Sequence, residues 1–197
     1  MTTGVRAAGA ALLAVSVIAA PAQGADAEWG MADLMRSLKA VASSKARFSE
    51  RKELAILSEP LESSGTLVYR APGRLEKHTV APERESLVLD GSELVLENAA
   101  RGWRKTFALH EHSVIWALVE SIRSTLAGDL PTLQRFYEVE LGGSEPAWQL
   151  RLRPREPGMK AVVDVIRISG SGTSISRIET VETGGDRSVM TISRDAP

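Results

Sequence analysis

Apolar residues recur along this chain with two different periods. A period near 3.6 residues predicts an amphipathic helix, whereas strict alternation predicts a strand with one buried face. The helical period covers 31–43 and 114–126, and a third, shorter helix is predicted from Asp129 to about Arg135. Asp129 followed by Pro131 is typical of a helix start, with an N-cap residue and an early proline.

The alternating segments are short and are separated by turn residues rather than by crossover helices. They lie near 47–51, 65–70, 75–80, 86–89, 93–97, 102–108, 137–141, 148–154, 162–168, 175–181 and 188–192. The segment 162–168 is also compatible with a helix. Sequential strands of this kind pair antiparallel as a meander, and so long a meander curls toward a barrel. The predicted fold is therefore mainly β with some α.

Amphipathic helices can cover the inside of such a curled sheet in two ways. Their apolar faces can fill the core, which is the usual fate of apolar faces. They can also fit loosely and leave an apolar cavity under a movable helical lid. The spacing of apolar residues leaves both arrangements open.

Composition excludes several classes of function. The chain has 197 residues, with 24 Lys and Arg against 25 Asp and Glu, and no cysteine. This length fits one domain, and the charge balance gives no general attraction to nucleic acid. Without cysteine there are no disulfides, thiolate metal sites or cysteine nucleophiles.

Catalytic signals are weak. The chain has no G-x-S-x-G elbow, no H-E-x-x-H motif and no phosphate loop. His110 and His112 would share one face of a strand, but a metal site needs a third ligand, so a solvated loop is favoured. We expect no enzyme activity, no metal and no cofactor.

The amino terminus has the three regions of a secretory signal peptide. Arg6 precedes an uncharged apolar stretch at 7–20, which is too short to span a bilayer, and small residues follow. Cleavage is predicted after Ala22, with the segment 25–27 as the second choice. We therefore expect a cleaved signal at 1–22 and a single domain at 23–197. With no cysteine at the cleavage point the domain would carry no lipid anchor, so a periplasmic location is predicted.

Five segments, taken in order, carry a resemblance to a known family. They are ARFSE at 46–50, SSGTL at 63–67, RAPGRL at 70–75, LVLDGSEL at 87–94 and GGDRS at 184–188. They resemble the family's F-x-Q segment, its SSG and RPGRF segments, its hairpin with a D-G turn and its last hairpin. On these motifs the chain resembles the periplasmic lipoprotein carriers, the LolA family.

The resemblance implies a half-open antiparallel β-barrel closed by about three helices, with acyl chains bound inside. It implies a monomeric carrier for an acylated lipoprotein or other lipid, with an inner-membrane donor protein and an outer-membrane acceptor protein as partners. The alternative is a sensor of envelope stress, or another protein-binding module, on the same fold. The residues expected to bind lipid are Phe48, Leu67, Tyr69, Leu75, Leu87, Leu89, Leu94, Leu96, Trp103, Phe107, Ile115, Leu118, Val119 and Ile122.

The chain departs from the family pattern at the turn after the second strand. The family has an inward arginine before the turn proline, proposed to hold the helical lid closed, but this chain has Ala71. Its neighbour Arg70 is expected to face away from the cavity, because one step along a strand reverses the face. On the next strand Lys77 is expected to face inward, either as a polar handle for an acidic headgroup or as a solvated or carboxylate-paired lysine. These departures favour a paralogue with a different cargo.

Overall fold

The computed structural model of the protein describes residues 29–109 and 113–194. The predicted signal at 1–22 lies outside the described residues, and so do His110 and His112.

The described strands form one antiparallel sheet of eleven strands. Their bounds are β1 Ser43–Glu53, β2 Leu61–Arg70, β3 Arg74–Ala81, β4 Glu85–Asp90, β5 Glu93–Asn98, β6 Trp103–Ala108, β7 Tyr137–Ser144, β8 Ala147–Pro154, β9 Val163–Ser171, β10 Ser174–Glu182 and β11 Arg187–Arg194. The mainly β prediction is confirmed, and the segment near 162–168 is a strand. Most strands are longer than predicted because polar residues at their ends continue the backbone pairing.

The sheet consists of two meanders joined in the middle. The strand order is β6-β5-β4-β3-β2-β1-β11-β10-β9-β8-β7, so the first strand of the chain pairs with the last. In that pairing Phe48 lies opposite Ile192 and Glu50 lies opposite Met190. The edge strands are β6 and β7, and the sheet is not closed between them.

Four helices accompany the described sheet. They are α1 Met31–Lys39, α2 Ser113–Leu126, α3 Leu130–Phe136 and α4 Pro157–Lys160. The helix α1 is shorter than predicted because β1 already begins at Ser43, and α4 was not predicted since one turn is too short to show a period. Asp129 caps α3 as expected, since its side chain accepts a hydrogen bond of 3.1 Å from the backbone N–H of Thr132. None of the helices in the described ranges is long and apolar enough to cross a membrane.

The position of α2 follows from the strand order. The helices α2 and α3 connect β6 to β7, which are the two opposite edges of the sheet. A connection between opposite edges has to pass across one face, and apolar residues of α2 turn toward that face. We call it the inner face.

The inner face carries two apolar clusters. The larger one packs the side chains of β7 to β9 against α1, α3 and α4, and its fully buried members include Leu34, Trp148 and Ile166. The smaller one contains Leu89 and Leu94 with residues of α2 packed against them. The apolar faces of α1 and α3 therefore fill a core, which is one of the two arrangements that the sequence left open.

Candidate functional site

A cavity of about 390 Å³ lies between the inner face and the helices α1 and α2, beside the filled core. The loose fit of helix over sheet, which is the second arrangement that the sequence left open, is therefore present as well. Its wall is mostly aliphatic, with contributions from β1 to β4, from β10 and β11 and from both helices. The aliphatic and aromatic wall residues include Leu38, Val41, Leu67, Tyr69, Leu75, Leu87, Leu89, Leu118, Val119, Ile122, Leu126, Ile175, Ile178, Met190 and Ile192.

Strand register aligns this wall. Tyr69 lies opposite Leu75, and Leu75 lies opposite Leu89 on the next strand. Because side chains on a strand point alternately to the two faces, residues paired across neighbouring strands share one face. An apolar row of one aromatic and two aliphatic side chains therefore crosses the sheet below α2.

Eight of the residues expected to bind lipid lie on the cavity wall. They are Leu67, Tyr69, Leu75, Leu87, Leu89, Leu118, Val119 and Ile122. Lys77 is on the wall as well. Their contact with a lipid stays a prediction.

The remaining expected residues lie elsewhere. Leu94 is buried in the smaller cluster, with Leu96 and Phe107 packed against it. Trp103 is half-buried, and Nζ of Lys105 lies 5.6 Å from the centroid of its ring. Phe48 is buried under Lys77, whose Nζ lies 4.8 Å from its ring centroid. The side chain of Ile115 is outside the described residues.

The last hairpin contributes wall residues that were not predicted from the sequence. Ile178, Met190 and Ile192 lie on the wall because β11 pairs with β1 in the middle of the sheet. The alternation in β10 and β11 was visible, but nothing in the sequence placed these strands beside β1.

One end of the cavity is polar and is organised around a buried carboxylate. Glu50 is only 8% exposed. Its Oε2 accepts from Lys77 Nζ at 2.5 Å and its Oε1 accepts from Ser188 Oγ at 2.8 Å. Lys52 Nζ lies 3.6 Å from the same carboxylate. Lys77 is therefore carboxylate-paired, which is one of the two states that the sequence allowed.

The environment of Glu50 keeps it ionised. Burial by itself would raise the pKa of Glu50, but the charges of Lys77 and Lys52 and the hydrogen bonds from Lys77 and Ser188 outweigh it and lower the pKa below its usual value. The polar end is consequently a balanced ion pair with a second cation beside it.

The opposite end of the cavity is where α2 is attached to the sheet. Arg123 of α2 donates from Nη1 to the backbone carbonyl of Gly91, in the β4–β5 turn, at 2.9 Å. Gly73, in the β2–β3 turn, leaves room for this side chain, since a Cβ there would lie 2.9 Å from Cδ of Arg123. The guanidinium thus bridges the helix to a turn of the sheet.

A buried acidic group on α2 orients Arg123. Glu120 is 5% exposed, and its Oε2 accepts from Arg123 Nη2 at 2.5 Å. Ser124 Oγ donates to the same carboxylate at 2.9 Å. Because Glu120 is itself held by Ser124, it fixes the Arg123 guanidinium in the direction of Gly91.

The residue that replaces the family arginine takes no part in this attachment. Ala71 is exposed, and Arg70 is exposed and donates to Glu76 at 3.0 Å. In this chain the contact between α2 and the β4–β5 turn is made by an arginine on the helix.

Searches of known proteins give similar folds at low sequence identity. A LolA superfamily protein from Nitrosomonas europaea is 9% identical, with a TM-score of 0.45, and the match covers 83% of this chain and 93% of that chain. The MucA/MucB complex of Pseudomonas aeruginosa is matched at 11% identity and a TM-score of 0.46, over 83% of this chain and 56% of that chain. A putative outer membrane lipoprotein-sorting protein domain from Vibrio parahaemolyticus is 8% identical, with a TM-score of 0.42, over 83% of this chain and 88% of that chain. The comparison with curated protein sequences found no match.

Almost the whole chain matches one protein family. Residues 19–196 match the family described as outer membrane lipoprotein carrier protein LolA-like. This range contains the open sheet, the cavity and the helix that covers it. The chain therefore belongs to the LolA-like family.

Proposed function

We propose that the protein is a carrier that shields an acyl chain of a lipoprotein or other lipid from water and passes it toward the outer membrane. The observation that carries this proposal is the cavity, in which aliphatic side chains of sheet and helix face each other across a space of about 390 Å³. Ligand pockets commonly have about 300–1,000 Å³. The cavity is therefore at the small end of this range.

The size of the cavity favours one acyl chain over several. A methylene is about as large as a water molecule, whose share of the liquid is roughly 30 Å³. A volume of 390 Å³ then takes roughly a dozen methylenes. Each contributes about 0.8 kcal/mol on leaving water, so the burial of one acyl chain supplies the driving force for binding.

The polar end of the cavity is suited to binding an acidic headgroup. An ammonium has three donors, and at Lys77 one of them is used by Glu50. Lys77 and Lys52 then stand where the headgroup of a lipid would emerge from the cavity. In this proposal the eight wall residues contact the chain, whereas Phe48, Leu94, Leu96 and Phe107 pack beside the wall on the inner face.

The proposal extends to the compartment and the partners. Residues 1–22 direct export and are removed, and residues 23–197 work as a monomeric domain in the periplasm. An inner-membrane donor protein supplies the cargo and an outer-membrane acceptor protein receives it. The mechanism needs opening of α2 but no catalytic group and no cofactor.

Lipid extraction tests the proposal directly. Protein purified from the periplasm without detergent is expected to carry one acyl compound per chain, seen by native mass spectrometry and identified after extraction. A protein that is free of lipid, does not bind an added fluorescent fatty acid and forms a stable complex with another protein would instead be a protein-binding module.

The contact between Arg123 and Gly91 gives a prediction about release. Replacing Arg123 by methionine and Glu120 by glutamine in one double variant removes the hydrogen bond to Gly91, which is partly open to water and worth about 1 kcal/mol, without leaving the buried Glu120 carboxylate unpaired. We expect the dissociation rate of a bound fluorescent fatty acid to rise roughly fivefold in stopped-flow measurements.

The matched control is Arg36→Met on α1, since Arg36 is highly exposed and pairs only with Asp33 of its own helix among the described residues. This variant is expected to release the ligand at the wild-type rate. Equal dissociation rates in the double variant and wild type would show that the contact does not limit opening.

A further inference from the structure

Large apolar side chains are exposed at one end of the molecule only, within the described ranges. Five such side chains are exposed there, in the β1–β2 loop, at the start of β2, at the end of β3 and just before β9. They are Ile56 (89%), Leu57 (43%), Leu61 (50%), Val80 (59%) and Val162 (40%). Single exposed apolar residues are common on protein surfaces, but their concentration at one place is typical of an interaction site. We call these five residues the apolar rim.

Hydrogen bonds hold the apolar rim together. Leu57 N–H donates to the carbonyl of Leu54 at 2.9 Å, so residues 54–57 form a tight turn with Ile56 near its tip. Ala55 N–H donates to Oδ1 of Asp186 at 2.7 Å, which ties this turn to the β10–β11 hairpin.

The same hairpin binds the second part of the rim. Thr183 N–H donates to the carbonyl of Val162 at 2.9 Å. The exposure of Ile56 and Val162 is therefore built into ordered backbone.

The apolar rim borders the polar end of the cavity. Leu54 and Lys52 lie on the cavity wall, and so do Glu182 and Arg187 of the hairpin that anchors the rim. Leu61 lies opposite Lys52 in the sheet. The attachment of α2 by Arg123 is at the other end of the strands, so a ligand that leaves by the polar end passes the rim.

The charges around the rim are balanced. Lys52 and Lys77 share Glu50, Arg187 pairs with Glu179 at 2.7 Å, and the acidic Glu182 and Asp186 lie on the same hairpin as Arg187. Arg51 lies 3.2 Å from Glu53 and 3.1 Å from Glu62. A rim of this kind has no excess of positive charge for attracting anionic lipid or an acidic protein, so contact has to come from burying aliphatic groups.

We propose that the apolar rim docks the protein on the surface of a lipid bilayer, with Ile56 and Leu57 inserted between the headgroups. A projecting aliphatic tip fits a fluid interface, which closes around any shape, whereas a protein partner would need a matching pocket. Apolar side chains of peripheral proteins are buried about 5–10 Å into this region. Docking would set the polar end of the cavity against the bilayer. Only the passage of cargo between cavity and bilayer rests on the proposed function.

Flotation with phosphatidylcholine vesicles tests the docking. The wild-type protein is expected to float with the vesicles, with little change between low and high salt. Ile56→Asp is expected to lower the partition coefficient at least tenfold, because a fully exposed aliphatic group is replaced by a charge. Ile56→Trp is expected to raise it, since tryptophan favours the interface.

Ser171→Asp is the charge-matched control. Ser171 is exposed near the β9–β10 turn, away from the rim, and this variant is expected to float as the wild type does. The proposal is overturned if the wild-type protein stays in solution or if Ile56→Asp and Ser171→Asp lower the vesicle-bound fraction equally. Binding of a fluorescent fatty acid without vesicles is measured in parallel. If it is absent while the rim still docks, the carrier function fails and the docking stands.

Discussion

Replacement of Lys77 by methionine is expected to lower the free energy of unfolding by about 3–5 kcal/mol, because it leaves the Glu50 carboxylate buried without its nearest cation. Methionine has nearly the length of lysine, so packing over the Phe48 ring is kept and the charge is the main loss. Urea denaturation at neutral pH measures the change. The size of the effect comes from the burial of Glu50, since exposed ion pairs are worth much less.

The double variant Lys77→Met with Glu50→Leu is the control for this interpretation. It removes both charges, and replacing a buried ion pair by apolar groups is often neutral or stabilising. We therefore expect it to recover most of the lost stability. If the double variant is as unstable as Lys77→Met alone, the loss comes from packing and not from the stranded carboxylate.

The pH dependence gives a second check. The pKa of Glu50 is lowered in the folded protein, so the carboxylate stabilises the fold above the ordinary pKa of a glutamate. That contribution is lost as the pH falls through the lowered value. In Lys77→Met the carboxylate loses this support, so the difference between variant and wild type is expected to shrink as the solution is acidified.

Alternation predicted much of the local structure. Leu67 and Tyr69 on β2 and Leu87 and Leu89 on β4 all lie on the cavity wall, as their spacing of two indicated. Such a pattern is local, because it depends only on which face of a strand is buried. The helical period near 114–126 likewise gave α2 and its inward residues.

Contacts between distant parts of the chain were not predictable in the same way. The pairing of β1 with β11 joins the two ends of the described chain, and no residue pattern predicts it. Lys77 and Glu50 are 27 residues apart, and Arg123 and Gly91 are 32 apart. Each of these contacts depends on strand order, so single-strand patterns contain no information about them.

The choice between filled core and open cavity depends on side-chain fit. Val119 both borders the cavity and packs against the smaller cluster, whereas Leu34 on α1 is completely buried in the larger one. Both are aliphatic residues on amphipathic helices. The distance between a helix and the sheet separates the two cases, and periodicity does not encode this distance.

Replacement of Met190 by tryptophan is expected to lower the affinity for a fatty acid about a hundredfold. Met190 lies on the cavity wall, on β11 between Glu50 and Ile178 of the neighbouring strands. An indole at this position would displace roughly four methylenes of the ligand, each worth about 0.8 kcal/mol, or about 3 kcal/mol in total. Isothermal titration with a saturated fatty acid measures the change.

The fold of this variant is expected to survive, because the added ring enters space that no side chain of the described protein occupies. The melting temperature of the ligand-free protein should therefore be unchanged or higher, which separates blocking from unfolding. Thr191→Trp is the matched control, since Thr191 is exposed on the other face of the same strand. A variant Met190→Trp that folds and binds the fatty acid as tightly as Thr191→Trp would place the ligand outside the cavity and remove the basis of the carrier proposal.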